Sequence, residues 1–241
     1  MRNKTIPNQK RLSAAFSRVD LLVVIAIAAM LPAVKFTCLA SSRGPGQSAV
    51  CMNNLRQLGM ALLMYSSENS GWFPPRSMPD AWPDRLRRYY QDLDVLRCPS
   101  DGPNPTTAYY PGYPASSAPR SYIYNGWNDY YWQIFGENYL SAARTNSVPE
   151  VLIAHPAETI TLGEKVTGSP HFYMDFLEGP GNDLTEIEYF RHFHSLRNQN
   201  SGGSNFSFAD GSVRFLKDRS SLFPTNLWAV TEIWRAVSVA P

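Results

Sequence analysis

Hydrophobic positions along the chain fall into three regimes. From Leu21 to Val34 the sequence is one apolar block, with Asp20 immediately ahead of it and Lys35 immediately behind. Between Cys51 and Tyr65, apolar residues recur at three- and four-residue steps (Cys51, Leu55, Leu58, Leu62, Tyr65), the spacing of a helix with one buried face. Asn69-Ser70-Gly71 supplies its C-terminal stop, and Pro74-Pro75 prevents renewal. Upstream, Ser41-Ser42-Arg43-Gly44-Pro45-Gly46 reads as a helix break, because Gly and Pro both oppose helical backbone.

Beyond Pro75 the pattern shortens. Trp82–Tyr90 predicts a short amphipathic helix, with Trp82, Leu86, Tyr89 and Tyr90 inward and Arg85, Arg87 and Arg88 on a solvated face. Leu96–Gly102 is turn-rich, and Ser121–Trp127 predicts a short strand ending in an Asn-Gly turn. Val148–Ala154 is a segment introduced by Pro149, and Thr159–Glu164 reads as a buried strand closed by Glu164. In Asn205–Phe215, Phe206 and Phe208 alternate before Asp210-Gly211, and Val213 and Phe215 alternate after it, which is the pattern of a β-hairpin with a tight turn. The aromatic residues from Tyr109 to Tyr139 fit the filling of a core between long connections better than a sugar-binding platform.

Composition narrows the class. Nineteen Pro, 15 Gly and 13 Tyr in 241 residues, with 17% charged residues, suit a loop-rich α+β domain better than a helical bundle. The net charge of +2 comes from the first residues, where Arg2, Lys4, Lys10 and Arg11 stand without an acid. From Phe16 onward 18 basic residues face 20 acidic ones, so no nucleic-acid surface is expected. A basic head, an apolar block and a polar body place the chain at a membrane with its N-terminus cytoplasmic. Three readings fit residues 1–40. A secretory signal peptide would be cut after Cys38-Leu39-Ala40. An uncleaved anchor would require Asp20 to be tolerated and Lys35 to snorkel.

The third reading rests on Ala15-Phe16-Ser17-Arg18-Val19-Asp20 followed by Leu21–Ile27, which resembles the type IV prepilin signature. The resemblance implies cleavage between Ala15 and Phe16 by prepilin peptidase, N-methylation of Phe16, and retention of the apolar helix as anchor and assembly rod. Asp20 is then the fifth residue of the mature chain and pairs with the terminal amine of a neighbouring subunit. Ala15 stands where the family prefers Gly, Arg18 where an apolar spacer residue is usual, and Asp20 where Glu is commoner.

Cys51-Met-Asn-Asn-Leu-Arg-Gln-Leu-Gly59, Gly71-Trp-Phe-Pro74 and Leu96–Gly102 are similar to a large subfamily of bacterial pseudopilin-like proteins. The hairpin resembles the H-x9-DG element that ends many of them, with Asp210 and Gly211 as its Asp-Gly. Asn200, with nine residues between it and Asp210, occupies the position of the element's histidine, and His192 and His194 precede an apparent insertion at Ser195–Asn200. With the body exported and Cys38 at the membrane edge, Cys98 is the expected partner of Cys51, the alternative being two buried thiols.

The implied organisation is a basic leader (1–15), a transmembrane and assembly helix (16–40), a linker with the second half of the helix (41–71) and a globular domain (72–241). The fold class is α+β: a long N-terminal helix, membrane-inserted in its first half and broken near residues 44–46, packed on a loop-rich domain with a small antiparallel sheet. No nucleophile elbow, P-loop or Rossmann fingerprint occurs, so no enzyme, catalytic residue or cofactor is expected. His192-Phe193-His194 is a weak metal pattern, and Asp175, Glu178, Asp183, Glu186 and Glu188 lack the alternating spacing of a calcium loop. The expected function is a structural pilin-like subunit of a type II secretion pseudopilus or a type IV pilus-like filament. Its partners are prepilin peptidase, other pilin or pseudopilin subunits and the bacterial inner membrane, with the body periplasmic or at the cell surface. The alternative is a membrane-tethered module that binds a carbohydrate or an exported substrate.

Overall fold

The structure, a computed structural model, describes residues 18–28, 43–103, 105, 107, 109–177, 183–193 and 202–237. Two compact units divide the chain, Met1–Arg43 and Gly44–Pro241. In the first, residues 18–28 form helix α1, and its side chains are exposed throughout. Helix α2 spans Arg43–Glu68.

The expected long N-terminal helix is therefore not found as one element among the described residues, and none of their helices is long and apolar enough to cross a membrane. The expected break at residues 44–46 is also corrected, because Gly44, Pro45 and Gly46 form the first turn of α2. Proline is tolerated there: the first N–H groups of a helix have no intrahelical acceptor, and the fixed φ of Pro45 is already helical. The other end follows the sequence pattern. Ser70 and Gly71 take φ of 58° and 82°, and the Gly71 N–H donates to the Ser66 carbonyl at 2.8 Å, closing α2.

Six strands form one sheet: β1 (Tyr122–Asn125), β2 (Ile160–Glu164), β3 (Tyr173–Met174), β4 (His192–Phe193), β5 (Gly202–Phe208) and β6 (Val213–Lys217). The order is β3-β1-β2-β5-β4, with β6 also paired to β5. The expected small antiparallel sheet is thus a mixed one. After β2 the chain crosses back over β1 and returns as β3 on its far edge, giving a parallel pair with Tyr124 opposite Tyr173. β5 has β6 along one edge, since Ser207 and Gly203 pair with Val213 and Lys217. The same two residues pair with β2 and β4, so β2 and β4 follow one another end to end along the opposite edge.

Alternation on these strands builds a core on each face. Tyr122, Tyr124 and Leu162 join Cys51, Leu55, Leu58 and Leu62 of α2, all fully or almost fully buried. Ile123, Phe206 and Phe208 join Leu222 and Trp228 on the other face. A Cβ on Gly59 would stand 2.6 Å from Ser207 Oγ, so the glycine lets α2 lie close to β5. Short helices fill the connections: α3 (Trp82–Arg85), α4 (Arg87–Tyr90), α5 (Pro114–Ser117), α6 (Asn128–Phe135), α7 (Tyr139–Ala143) and α8 (Glu232–Arg235). The single amphipathic helix expected over Trp82–Tyr90 is split into α3 and α4 at Leu86, while Trp82, Leu86 and Tyr90 still face inward.

The Asn125-Gly126 pair does not close a hairpin. Asn125 Oδ1 accepts the Trp127 N–H at 2.8 Å, Trp127 adopts a left-handed conformation (φ 54°, ψ 31°), and α6 begins at Asn128. The Trp127 ring stacks on Phe73 at 5.6 Å and donates its Nε1–H to Tyr124 Oη at 2.9 Å, contacts that offset the cost of a bulky residue in that region. Tyr122, Tyr124, Trp127, Tyr131 and Tyr139 pack in the core, whereas Tyr109, Trp132 and Phe135 are exposed.

The tightest test of this packing is Gly163. A Cβ there would meet the Phe206 ring at 2.7 Å and Trp228 at 2.9 Å. Gly163→Ala is expected to cost about 1–3 kcal/mol in urea denaturation through overpacking. Gly168→Ala, with nothing within 4 Å of the new carbon, is the matched control and should stay within about 0.5 kcal/mol of the parent.

Candidate functional site

Ala15 and Phe16 lie outside the described residues, as does His194. Asp20 is the third residue of α1 and is exposed. Val19, Leu21, Leu22, Val23, Val24, Ile25 and Ile27 around it are each more than half exposed, so α1 presents apolar surface on every side.

Inside the body, the chemistry gathers where α2 meets the sheet. Cys51, two turns into α2, is joined to Cys98 by a disulfide with Cα atoms 5.0 Å apart. Asn54, three residues on and so on the same face of α2, donates from Nδ2 to the Arg97 carbonyl at 2.9 Å. The Cys98 N–H donates to Ser121 Oγ at 2.9 Å, and the Ser121 N–H donates to the Leu96 carbonyl at 2.8 Å, which ties the turn to the start of β1.

Beside the disulfide sit Glu164 and His192. Glu164 ends β2 and His192 begins β4, and because these strands follow one another along β5, the two side chains meet across 28 residues of sequence. His192 Nε2 lies 2.8 Å from Glu164 Oε1 and 3.8 Å from Cys98 Sγ. Glu164 Oε2 accepts the Asn205 N–H of β5 at 2.8 Å. Glu164 and both cysteines are fully buried, and His192 nearly so. One ligating atom from each of Cys51, Cys98, Glu164 and His192 falls within 4.8 Å of the others. Chemically, this cluster offers a disulfide, an imidazole and a carboxylate in a dry setting: a site for thiol redox exchange or for a cation that takes sulfur, nitrogen and oxygen together.

Next to it lies a charged layer. Burial pushes the Asp101 carboxyl up, but hydrogen bonds from Ser121 and Thr167 and the Arg191 guanidinium outweigh burial and hold it below the usual carboxylate range. Arg191 also donates to the Lys165 carbonyl. Burial, followed by the Arg120 charge, pushes Lys165 down to about 7, and its Nζ donates to the Ser169 carbonyl at 2.6 Å.

The Asp210-Gly211 turn is a separate feature with a packing role. Asp210 Oδ1 accepts the Ser212 N–H at 2.9 Å, and Gly211 takes φ +82° with Leu63 of α2 close against it. Asp175 and Asp183 of the acidic stretch are occupied internally: Asp175 bonds Arg76 at 2.9 Å, and Asp183 accepts the Asp175 N–H at 2.6 Å. A cavity of about 540 Å³ opens elsewhere on the body, lined by Arg76, Tyr110, Arg144, His171, Phe172 and Tyr173 among others.

The sequence points to Cys51, Cys98, Asp210 and Gly211, whereas Glu164 reads from it only as the residue that closes a strand and His192 only as part of a metal pattern with His194. The one local signal is a carboxylate closing an otherwise uncharged strand. Compared with known proteins, the chain matches no family model, no curated protein and no solved structure.

Two stability measurements probe this region. The disulfide closes a loop with a sequence separation of 47. Replacing both Cys51 and Cys98 by Ala should therefore lower unfolding free energy by about 2–4 kcal/mol in guanidinium titrations. Lys165 supplies a pH signature. Its folded pKa of about 7 lies below the unfolded value of about 10.4, so between pH 7 and 9 the unfolded chain holds a proton that the folded chain has shed. Stability then rises with pH across that window, with a contribution from this group of at most about 1.4 kcal/mol per pH unit. Lys165→Met should remove that rise, which denaturation at pH 7, 8 and 9 will read.

Proposed function

We propose that the chain is a pilin-like structural subunit, anchored in the bacterial inner membrane by its N-terminal apolar segment and built into a type II secretion pseudopilus or a type IV pilus-like filament. The observation that carries this reading is α1. It is a helix with apolar side chains exposed on all sides, one carboxylate at its start, and Ala15-Phe16 just ahead of it in the sequence. Such a surface calls for lipid or other apolar helices around it. An ionisable group at the mouth of an apolar segment is a functional group by default, and the amine of a neighbouring subunit's processed Phe16 has the charge to engage Asp20 in the assembly.

The body supports the same reading. The Asp210-Gly211 hairpin that joins β5 to β6 supports the resemblance to the family's terminal Asp-Gly element. A disulfide suits an exported domain.

In this role prepilin peptidase cuts between Ala15 and Phe16, the new amine is methylated, and Asp20 sets the register of one subunit against the next. The second reading, a membrane-tethered binding module, is favoured by the cavity lined by Tyr110, Phe172 and Tyr173 with Arg76 and Arg144, where aromatic faces and guanidinium groups could hold an acidic saccharide.

The N-terminal mass of protein purified from membranes tests the proposal. A chain beginning at N-methylated Phe16 is expected, and one beginning at Ser41 would make residues 1–40 a secretory signal and overturn it. Asp20→Ala should reduce crosslinked multimers at least about tenfold, as expected for losing a charge pair in an apolar setting, while the thermal unfolding of the body stays unchanged. Multimers that persist in Asp20→Ala would remove the assembly role from that residue.

A further inference from the structure

We propose that Cys51, Cys98, Glu164 and His192 form a buried zinc site whenever the Cys51–Cys98 bond is reduced, so that a metal clamp and a covalent clamp are alternative ways of fastening α2 to the sheet. Four ligating atoms from α2, the Cys98 turn, β2 and β4 already lie within 4.8 Å of one another. In tetrahedral zinc sites, with bonds of about 2.3 Å to sulfur and about 2.0–2.2 Å to nitrogen and oxygen, ligating atoms stand roughly 3–4 Å apart. The His192 Nε2 to Cys98 Sγ separation of 3.8 Å already matches that spacing, and the 2.8 Å to Glu164 Oε1 needs only a slight opening. The sulfurs, once unbonded, separate by rotation about the two Cα–Cβ bonds.

The donor set is one that zinc takes: two thiolates, an imidazole and a carboxylate, all withdrawn from water. Glu164 is also oriented from behind, since its other oxygen holds the Asn205 N–H of β5, the arrangement that fixes ligating carboxylates in metal centres. The cluster leaves no trace as a sequence motif, because its members lie at residues 51, 98, 164 and 192 with no Cys-x-x-Cys or His-x-x-His among them.

Reduction of the bond requires one external component, a thiol reductant, and balances with it. Two thiols of a cellular reductant become its disulfide as the Cys51–Cys98 bond breaks and each sulfur takes up an electron and a proton. Metal binding then converts both thiols to thiolates and releases their protons to solvent. In an oxidising compartment the sulfurs are lost to the disulfide and the site does not form.

The full-length chain carrying Cys38→Ala, so that the third cysteine cannot contribute, is the test protein. It is unfolded and reduced with a water-soluble phosphine, returned to detergent micelles without oxygen, and titrated with Co2+ and then Zn2+. One Co2+ per chain is expected, with thiolate charge-transfer absorption in the near ultraviolet, tetrahedral absorption in the visible, loss of both on zinc addition, and recovery of the aromatic near-ultraviolet circular dichroism of the folded core. His192→Ala and Glu164→Gln should each weaken binding by at least about tenfold, and the disulfide form should give no cobalt spectrum. A reduced chain with no tetrahedral spectrum overturns the proposal. So does binding of equal strength in the parent and in His192→Ala, which would be sulfur capture by unfolded chain.

Discussion

The seating of α2 on the sheet is the constraint from which the rest of the body follows. The helix contributes Cys51, Leu55, Leu58 and Leu62 to a core that Tyr122, Tyr124 and Leu162 complete from below. None of these strands would bury that face without it, because the helices in the connections run only four to eight residues. Close approach is purchased by absence of side chain at Gly59 and smallness at Ser207. The seat is then fixed at one end by the disulfide and at the other by the Gly211 turn against Leu63. Hydrophobic area alone would allow the helix to slide, whereas a covalent bond and a left-handed glycine turn set its position along the sheet.

Glu164 and His192 stand at the point where β2 gives way to β4 along β5. Removing one partner of a buried hydrogen-bonded pair like this leaves an unsatisfied polar group and costs about 1–3 kcal/mol, yet replacing both by apolar groups of the same shape can be nearly neutral. Their worth is therefore in positioning rather than in net stability. Glu164 gathers the imidazole of β4 and the Asn205 N–H of β5 at once, locking the handover from one strand to the next. That the pair abuts sulfur is a consequence of the same handover, since α2 crosses the sheet there.

What could be read from the sequence was what local chemistry decides. The buried face of α2, its Asn69-Ser70-Gly71 stop, the fully buried β2 and the Asp210-Gly211 hairpin each depend on residues a few positions apart, and each is found as expected. Other features turn on contacts between distant segments. Gly44-Pro45-Gly46 is compatible with a first helical turn as well as with a break, and only the downstream packing of α2 decides between them. Asn125-Gly126 carries a hairpin signal, but Asn125 instead holds the Ile160 and Trp228 carbonyls at 2.7 and 2.8 Å and turns the chain into α6. The parallel β1–β3 pair and the Glu164–His192 contact require strand order, which periodicity does not encode.

The placement of the disulfide has a mechanical meaning. A pull on the chain ahead of α2 would enter the body through the start of that helix at Arg43. The first covalent tie it meets is Cys51, about two turns further on. Ahead of that bond, α2 is held to the body by contacts such as Gln47 Nε2 on the Pro99 carbonyl and Asn205 Nδ2 on the Ser48 carbonyl, at 3.3 and 3.5 Å, each weak on its own. Beyond it, load passes through Cys98 to the Ser121 link and into β1, so the sheet shares it rather than the helix peeling away turn by turn. A tie at the entry point of force protects more of α2 than the same tie at Tyr65 would, because peeling begins at the loaded end.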